Sequence, residues 1–273
     1  MKALLVDGLN LVRRIYAAVP ASASDAASDS TAGDDHLDGV IAQSKAALAR
    51  ALRQHRPSHC VVAFDRGGRN WRHKLHPDYK KNRPPMPAKL RDALARFERA
   101  FGELRVESFS RADYEADDLI ATVAVKIAAR DDAFALILST DRNYCQLLRD
   151  NIAVFDHFAQ RALDAELIAN KFQVAPKQLP DLMALAGDSG LSIPGVRTVG
   201  VRTAAKLLKT HGTLDAILQA AADGGDALSQ KIHRARDDAR TAQTLFTLRT
   251  DLELGINLNQ LRWRDDDARD AQH

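Results

Sequence analysis

Asp7, Asp65 and Asp141 each close a short apolar run, in KALLVD, HCVVAFD and FALILSTD. Glu115, Asp117 and Asp118 stand together in YEADDLIAT, where acids open an apolar stretch with helical spacing. Taken singly, each has an ordinary reading: a strand-end Asp serves as a turn residue, and acids in a helix's first turn suit its dipole. Brought to one place they mean more, because converged carboxylates repel one another and are costly unless a cation neutralises them. Hard oxygen ligands of this kind select Mg²⁺ or Mn²⁺. Glu115 and Asp118 can share a helix face at i,i+3, while Asp117 reaches out from the first turn. The nine histidines show no zinc-site spacing.

The elements that must position these acids follow from the apolar runs. Lys2–Asp7, His59–Asp65, Phe134–Asp141 and Asn151–Asp156 read as strands of a sheet covered on both faces. Between them, Leu37, Ile41, Leu48 and Leu52 form one helical stripe, and Leu119, Ile120, Val123 and Ile127 another. Strands alternating with helices imply an α/β fold with a largely parallel sheet. Ligand sites of such sheets form outside the carboxyl ends of the strands, so acids distant in sequence can converge there. The Ala/Ser/Asp-rich stretch 17–35 reads as a flexible surface loop. Two isolated cysteines, Cys60 and Cys145, read as buried thiols; with no leader-like start and no run long enough for a membrane span, the expected setting is cytoplasmic.

A net charge of +3 over 273 residues hides segregation. Residues 66–105 carry twelve basic and four acidic side chains, residues 106–170 carry six and twelve, and residues 171–212 carry six and two. Cations beside clustered carboxylates suit a phosphate backbone held over a metal site, although a charge block is also what a solvated helix face looks like. Within the basic block, WRHKLHPDYKKNRPPMP interleaves Trp71 and Tyr79 with Arg72, Lys74, Lys80, Lys81 and Arg83. That mixture suits capture of a single strand, or is simply an exposed basic loop. Pro84, Pro85 and Pro87 stiffen the approach to a helix beginning near Ala88. Farther on, helices over 179–187 and 201–209 flank the turn-rich SGLSIPGVRTVG, where Gly195 and Gly200 permit close backbone approach and the helix start offers free N–H groups to a phosphate.

Through LLVDGLNLVRR, VVAFD, WRHKLHPDYKKNRPPMP, EADDLIAT, STDRNYCQLL and LALAGDSGLSIPGVRTVGVRTAAKLL, the chain resembles the 5′-nuclease family. That family includes flap endonucleases and the exonuclease part of bacterial DNA polymerase I. The resemblance implies a PIN-like α/β nuclease domain with a mostly parallel central sheet over residues 1–174, with a basic arch segment at about 66–99. A small all-helical region with a helix–three-turn–helix motif would follow over 175–262, then a polar tail, 263–273. It implies a principal Mg²⁺ (or Mn²⁺) site of Asp7, Asp65, Glu115, Asp117, Asp118 and Asp141, with Asp117 foremost, and a phosphate clamp of Lys80 and Arg83.

Arg72 and Tyr79 would join Lys80 and Arg83 at the DNA. A K⁺ would rest on backbone carbonyls of Leu185, Ala186, Pro194, Val196 and Val199, with Thr198, Val199, Gly200, Val201, Arg202 and Thr203 against the duplex. Asp188 would serve a second, weak divalent site, because Asn143 and Leu191 stand where the family carries Asp. Thr198, Val201 and Arg202 replace a common Gly, Pro and Lys. The expected function is Mg²⁺-dependent, structure-selective cleavage of DNA flaps, 5′ ends or single-strand/duplex junctions in replication or repair, with no membrane and no nucleotide cofactor. Two alternatives stay open: a PIN-type ribonuclease, and a weakly active or non-catalytic DNA-junction binder.

Overall fold

A computed structural model describes residues 1–20 and 32–264. The first part alternates strands and helices: β1 (Lys2–Asp7), α1 (Gly8–Ala18), α2 (Ala32–His55), β2 (His59–Ala63), α3 (Trp71–Leu75), α4 (Ala88–Asp92), α5 (Leu94–Gly102), β3 (Glu107–Phe109), α6 (Ala116–Ala128), β4 (Phe134–Leu138), β5 (Ile152–Asp156), β6 (Arg161–Ala162) and α7 (Ala165–Phe172). The second part is α8 (Leu179–Ala186), the two-residue strands β7 (Gly187–Asp188) and β8 (Ile193–Pro194), and α9 (Val201–His211), α10 (Leu214–Asp223), α11 (Ala227–Arg234) and α12 (Arg236–Phe246). Most of the expected surface loop lies outside the described residues. Its two ends are helical instead, since α1 runs to Ala18 and α2 begins at Ala32.

The main sheet has the order β3-β2-β1-β4-β5-β6, parallel except for the β5–β6 pair. Leu4 pairs with Cys60 on one side and Leu136 on the other, so β1 is central. Side chains alternate between faces along each strand. Ala3 and Leu5 join Leu119, Ile120 and Ile127 of α6 on one face, while Leu4 and Val6 join Leu48, Phe97 and Phe101 on the other. The α6 face runs without interruption into Leu182, Leu185, Ala204, Leu208 and Leu245, so the helical part shares a core with the sheet. Chain after α12 returns to the sheet: Cys60 N–H donates to Leu261 O and Trp263 N–H to Ser58 O, both near 2.9 Å. Trp263 is thus anchored, where the sequence suggests the start of a polar tail; residues 265–273 lie outside the described part. Among the described residues no helix is long and apolar enough to cross a membrane.

Candidate metal centre and nucleic-acid interface

β1 ends at Asp7, which caps α1 by accepting from Asn10 N–H at 3.0 Å. Its other oxygen accepts from Ser139 Oγ at 3.1 Å and Tyr144 OH at 3.4 Å. β2 and β4 stop at Ala63 and Leu138, so Asp65 and Asp141 lie just past the sheet edge. Asp65 accepts from the Ala116 N–H, tying the β2 end to the start of α6. Asp141 caps its own turn, accepting from Asn143 N–H at 2.8 Å.

Asp7, Asp65, Glu115, Asp117 and Asp141 line one cleft of about 330 Å³, together with Arg13, Arg14, Lys80 and Arg83. Arg13 and Arg14 join the cleft although their residue types and spacing alone do not mark them as site residues. The signal lies in their position: Asp7 caps the helix that carries them, within LVDGLNLVRR.

Burial, with repulsion between neighbouring carboxylates, dominates the electrostatics of most of the cleft acids. Burial, reinforced by Asp65 and Asp141, pushes the Asp7 carboxyl up to about 7 despite its hydrogen bonds. Asp65 is raised by burial and by Glu115, and Asp117 is raised well above the usual range by burial, then by Glu115 and Asp118 against the pull of Arg72. Glu115 moves the opposite way: burial pushes it up, but Lys80 and Arg72 and its hydrogen bonds together hold it below its ordinary value. Lys80 Nζ lies 2.5 Å from Glu115 Oε1, and Tyr79 OH donates to Glu115 Oε2 at 3.0 Å. Among the described residues no three acidic, His or Cys side chains already close into a single-ion cage. A hard divalent cation suits this donor set, since it would offset both the burial and the mutual repulsion that raise Asp7, Asp65 and Asp117.

Asp118 does not belong to the cleft. It is 0 % exposed, and Arg72 grips both its oxygens, at 2.7 and 2.8 Å. Trp71 Nε1 and the Arg249 N–H occupy the remaining acceptor positions. A carboxylate so saturated has no lone pair to give a metal. Of the six acids expected to converge, five therefore line the cleft and Asp118 is an internal anchor. Arg72 is likewise only 1 % exposed, donating also to Glu115 Oε2 and to Leu245 O of α12, and Trp71 and Tyr79 are buried beside it. The base-stacking role expected of Trp71 and Tyr79, and the DNA contact expected of Arg72, do not hold: these side chains are buried and bond inward to Asp118 and Glu115. Arg83 is exposed and Lys80 partly so.

Asp188 faces a neighbouring cavity of about 490 Å³, which Asp117, Asp141, Asn143 and Leu191 also line. Its Oδ1 accepts from Leu191 N–H at 2.9 Å. Asn143 Oδ1 accepts from Gln146 Nε2 at 2.8 Å.

In the helical hairpin, Gly195 packs its backbone on the end of α8; a Cβ there would come within 2.3 Å of the Ala186 carbonyl carbon. Val196 N–H donates to Leu185 O at 2.8 Å and Val199 N–H to Val196 O at 2.9 Å. Gly200 needs no such freedom: its φ is −93° and a Cβ would meet nothing within 4 Å, contrary to expectation. Thr198 does close the turn in the left-handed region, at φ 72°, and its hydroxyl accepts from Lys231 Nζ at 3.1 Å. Val201 and Arg202 are exposed at the start of α9, Thr203 is half-buried and the Val199 side chain is buried.

An acidic cleft at the carboxyl edge of a mostly parallel sheet, sharing its core with a helical hairpin, defines a resolvase-like nuclease fold with a helical C-terminal unit. The chain belongs to the 5′-3′ exonuclease family: residues 2–173 match the model of the 5′-3′ exonuclease N-terminal resolvase-like domain, and residues 174–269 that of the 5′-3′ exonuclease C-terminal SAM fold. It is 40 % identical over 261 residues to the flap endonuclease Xni of Shewanella sp. (strain W3-18-1), covering 96 % of this chain and 94 % of that protein. The Xni protein of Shewanella oneidensis is equally similar, at 40 % over 261 residues, 96 % of this chain and 95 % of its own. Among solved structures, the T5 5′-exonuclease with bound zinc superposes with a TM-score of 0.73 at 21 % identity, over 91 % of this chain and 90 % of that one. The T5 D15 flap endonuclease in a pseudo-enzyme-product complex with DNA and metal ions gives a TM-score of 0.72 at 20 % identity, over 91 % and 89 %.

Proposed function

We propose that this chain is a divalent-metal-dependent, structure-selective DNA nuclease of the flap endonuclease type, acting on 5′ flaps, ends and single-strand/duplex junctions in a cytoplasmic setting. The observation that carries this reading is the cleft in which five carboxylates face Lys80 and Arg83. Asp7, Asp65, Glu115, Asp117 and Asp141 would hold the metal, Mg²⁺ or Mn²⁺ by donor chemistry, with Asp117 foremost. Bound there, the metal supplies an activated water and neutralises charge developing on the phosphate.

The chain's own groups do the rest. Lys80, which pairs with Glu115 in the cleft, and Arg83 on the rim would grip the scissile phosphate and stabilise its growing charge. Arg13 and Arg14, which also line the cleft, would add to its cationic wall. Thr198, Gly200, Val201, Arg202 and Thr203 hold the duplex by its backbone, joined by the main chain at Val199. This part of the reading rests on the tight 195–200 turn and the exposed α9 start. The carbonyls of Leu185, Ala186, Pro194, Val196 and Val199 would cradle K⁺. Those of Leu185 and Val196 each accept one N–H and keep a second lone pair.

A 5′-flap DNA and a single-stranded RNA of matched length, each incubated with the protein and Mg²⁺, test the reading. Flap cleavage with little RNA cleavage is expected. Preference for RNA would support a PIN-type ribonuclease, and tight flap binding without cleavage in Mg²⁺ or Mn²⁺ would support a junction binder.

A further inference from the structure

Two loops more than a hundred residues apart in sequence lock together at the edge of the cleft, and each contains a residue in the left-handed region. Lys80 has φ 59° and Ser192 has φ 56°. A side chain there costs about 1–2 kcal/mol and persists only where surrounding contacts over-determine it. Three contacts do so. Lys80 N–H donates to Leu191 O at 2.8 Å, Asn82 N–H donates to Ser192 Oγ at 3.1 Å, and a His76 ring nitrogen pairs with Ser192 O at 2.8 Å.

The 188–192 loop is shaped in turn from its start. Asp188 Oδ1 accepts the Leu191 N–H at 2.9 Å, and Ser192 N–H donates to Ser189 O at 3.2 Å. Asp188 thus folds the loop so that the Leu191 carbonyl turns outward to Lys80. Immediately beyond, Ile193–Pro194 pairs with Gly187–Asp188 and leads into the Gly195 turn of the hairpin.

We infer that Asp188 and Ser192 are positioning residues: Asp188 caps the 188–192 loop, and the loop holds the Lys80 segment in its left-handed conformation so that hairpin and lysine move as one body. The inference deepens the nuclease reading and rests on it. It gives the retained Asp188 a task that requires a hydrogen-bond acceptor and no negative charge. Leu191 serves through its carbonyl, which any side chain permits.

Asn keeps an oxygen acceptor and loses the charge, so Asp188→Asn and Asp188→Ala separate a cap from a metal ligand. With Mg²⁺ and 5′-flap DNA at saturation, Asp188→Ala and Ser192→Ala are each expected to lower the single-turnover cleavage rate on the order of tenfold, as small misplacements of a reacting group do. Asp188→Asn should restore the rate, and the Mg²⁺ concentration for half-maximal rate should stay unchanged in all three. In a Lys80→Ala background the same substitutions should cost nothing further, because their effect runs through Lys80.

Equal loss in Asp188→Asn and Asp188→Ala with a raised Mg²⁺ requirement would overturn the inference in favour of a metal ligand. Additive loss in the Lys80→Ala background would overturn it in favour of general destabilisation. Absence of cleavage by the wild-type protein would instead overturn the nuclease reading itself.

Discussion

Arg72 grips Asp118 along both edges, Nη1 to Oδ2 at 2.7 Å and Nη2 to Oδ1 at 2.8 Å, in a pocket where neither side chain is more than 1 % exposed. The same guanidinium reaches Glu115 of the cleft and Leu245 O of α12. One buried cation therefore joins the start of α6, the base of the basic segment and the helical part. Removing one partner of such a pair strands the other charge. Arg72→Ala is expected to cost about 3–5 kcal/mol of stability. Arg72→Lys should recover only part of this, because an ammonium cannot make the two-pronged contact. Urea denaturation of the two variants against wild type checks this; an unchanged midpoint for Arg72→Ala would refute the anchoring role.

Asp7 makes metal-free stability depend on pH. Its carboxyl is raised from an ordinary value of 3.8 to about 7, so between those values the folded protein binds the extra proton and stability falls as pH rises. The penalty is complete above about pH 7 and vanishes below pH 4. Asp7→Asn carries no such penalty. In EDTA it should melt above wild type at pH 8, with the gap closing as pH drops toward 4. Mg²⁺ should raise the melting temperature of wild type at pH 8 more than that of Asp7→Asn, because a ligand stabilises the state that binds it. A pH-independent gap between the two proteins in EDTA would contradict the raised Asp7.

The hairpin reading has its own ionic signature. Carbonyls of Leu185, Ala186, Pro194, Val196 and Val199 would discriminate by ion size, so K⁺ should strengthen binding to duplex DNA more than Li⁺ at equal ionic strength. Fluorescence anisotropy with a blunt duplex in EDTA measures this without cleavage, and equal affinities in the two salts would argue against a potassium cradle.

Much of this was legible from residue order because the physics is local. Unbroken apolar runs announced β1, β2, β4 and β5, and terminal aspartates marked the edge where a parallel sheet binds ligands. β3, only Glu107–Phe109 with an exposed first residue, carries too few apolar positions to be seen. Asp117 and Asp118 are adjacent and chemically identical, yet the roughly 100° rotation per helical residue sends one to the cleft and the other into the grip of Arg72. That distinction depends on what packs against α6 from residues 72 and 249, far away in sequence. Tyr79 and Trp71 misled for the same reason: aromatics among basic residues look like a stacking platform until a buried arginine claims them. At Asp188 residue type alone shows an acid, and only the folded 188–192 loop shows its oxygen accepting the Leu191 N–H.

The most direct measurement is the single-turnover rate of 5′-flap DNA cleavage across a Mg²⁺ titration, for wild type and Asp117→Ala, with flap binding measured in parallel. Wild type should cleave with saturable Mg²⁺ dependence, and Asp117→Ala should bind the flap comparably while losing rate on the order of 10³-fold, as expected when charge stabilisation at the reacting phosphate is removed. Cleavage by Asp117→Ala at the wild-type rate and Mg²⁺ requirement would contradict the carboxylate cleft as the metal centre.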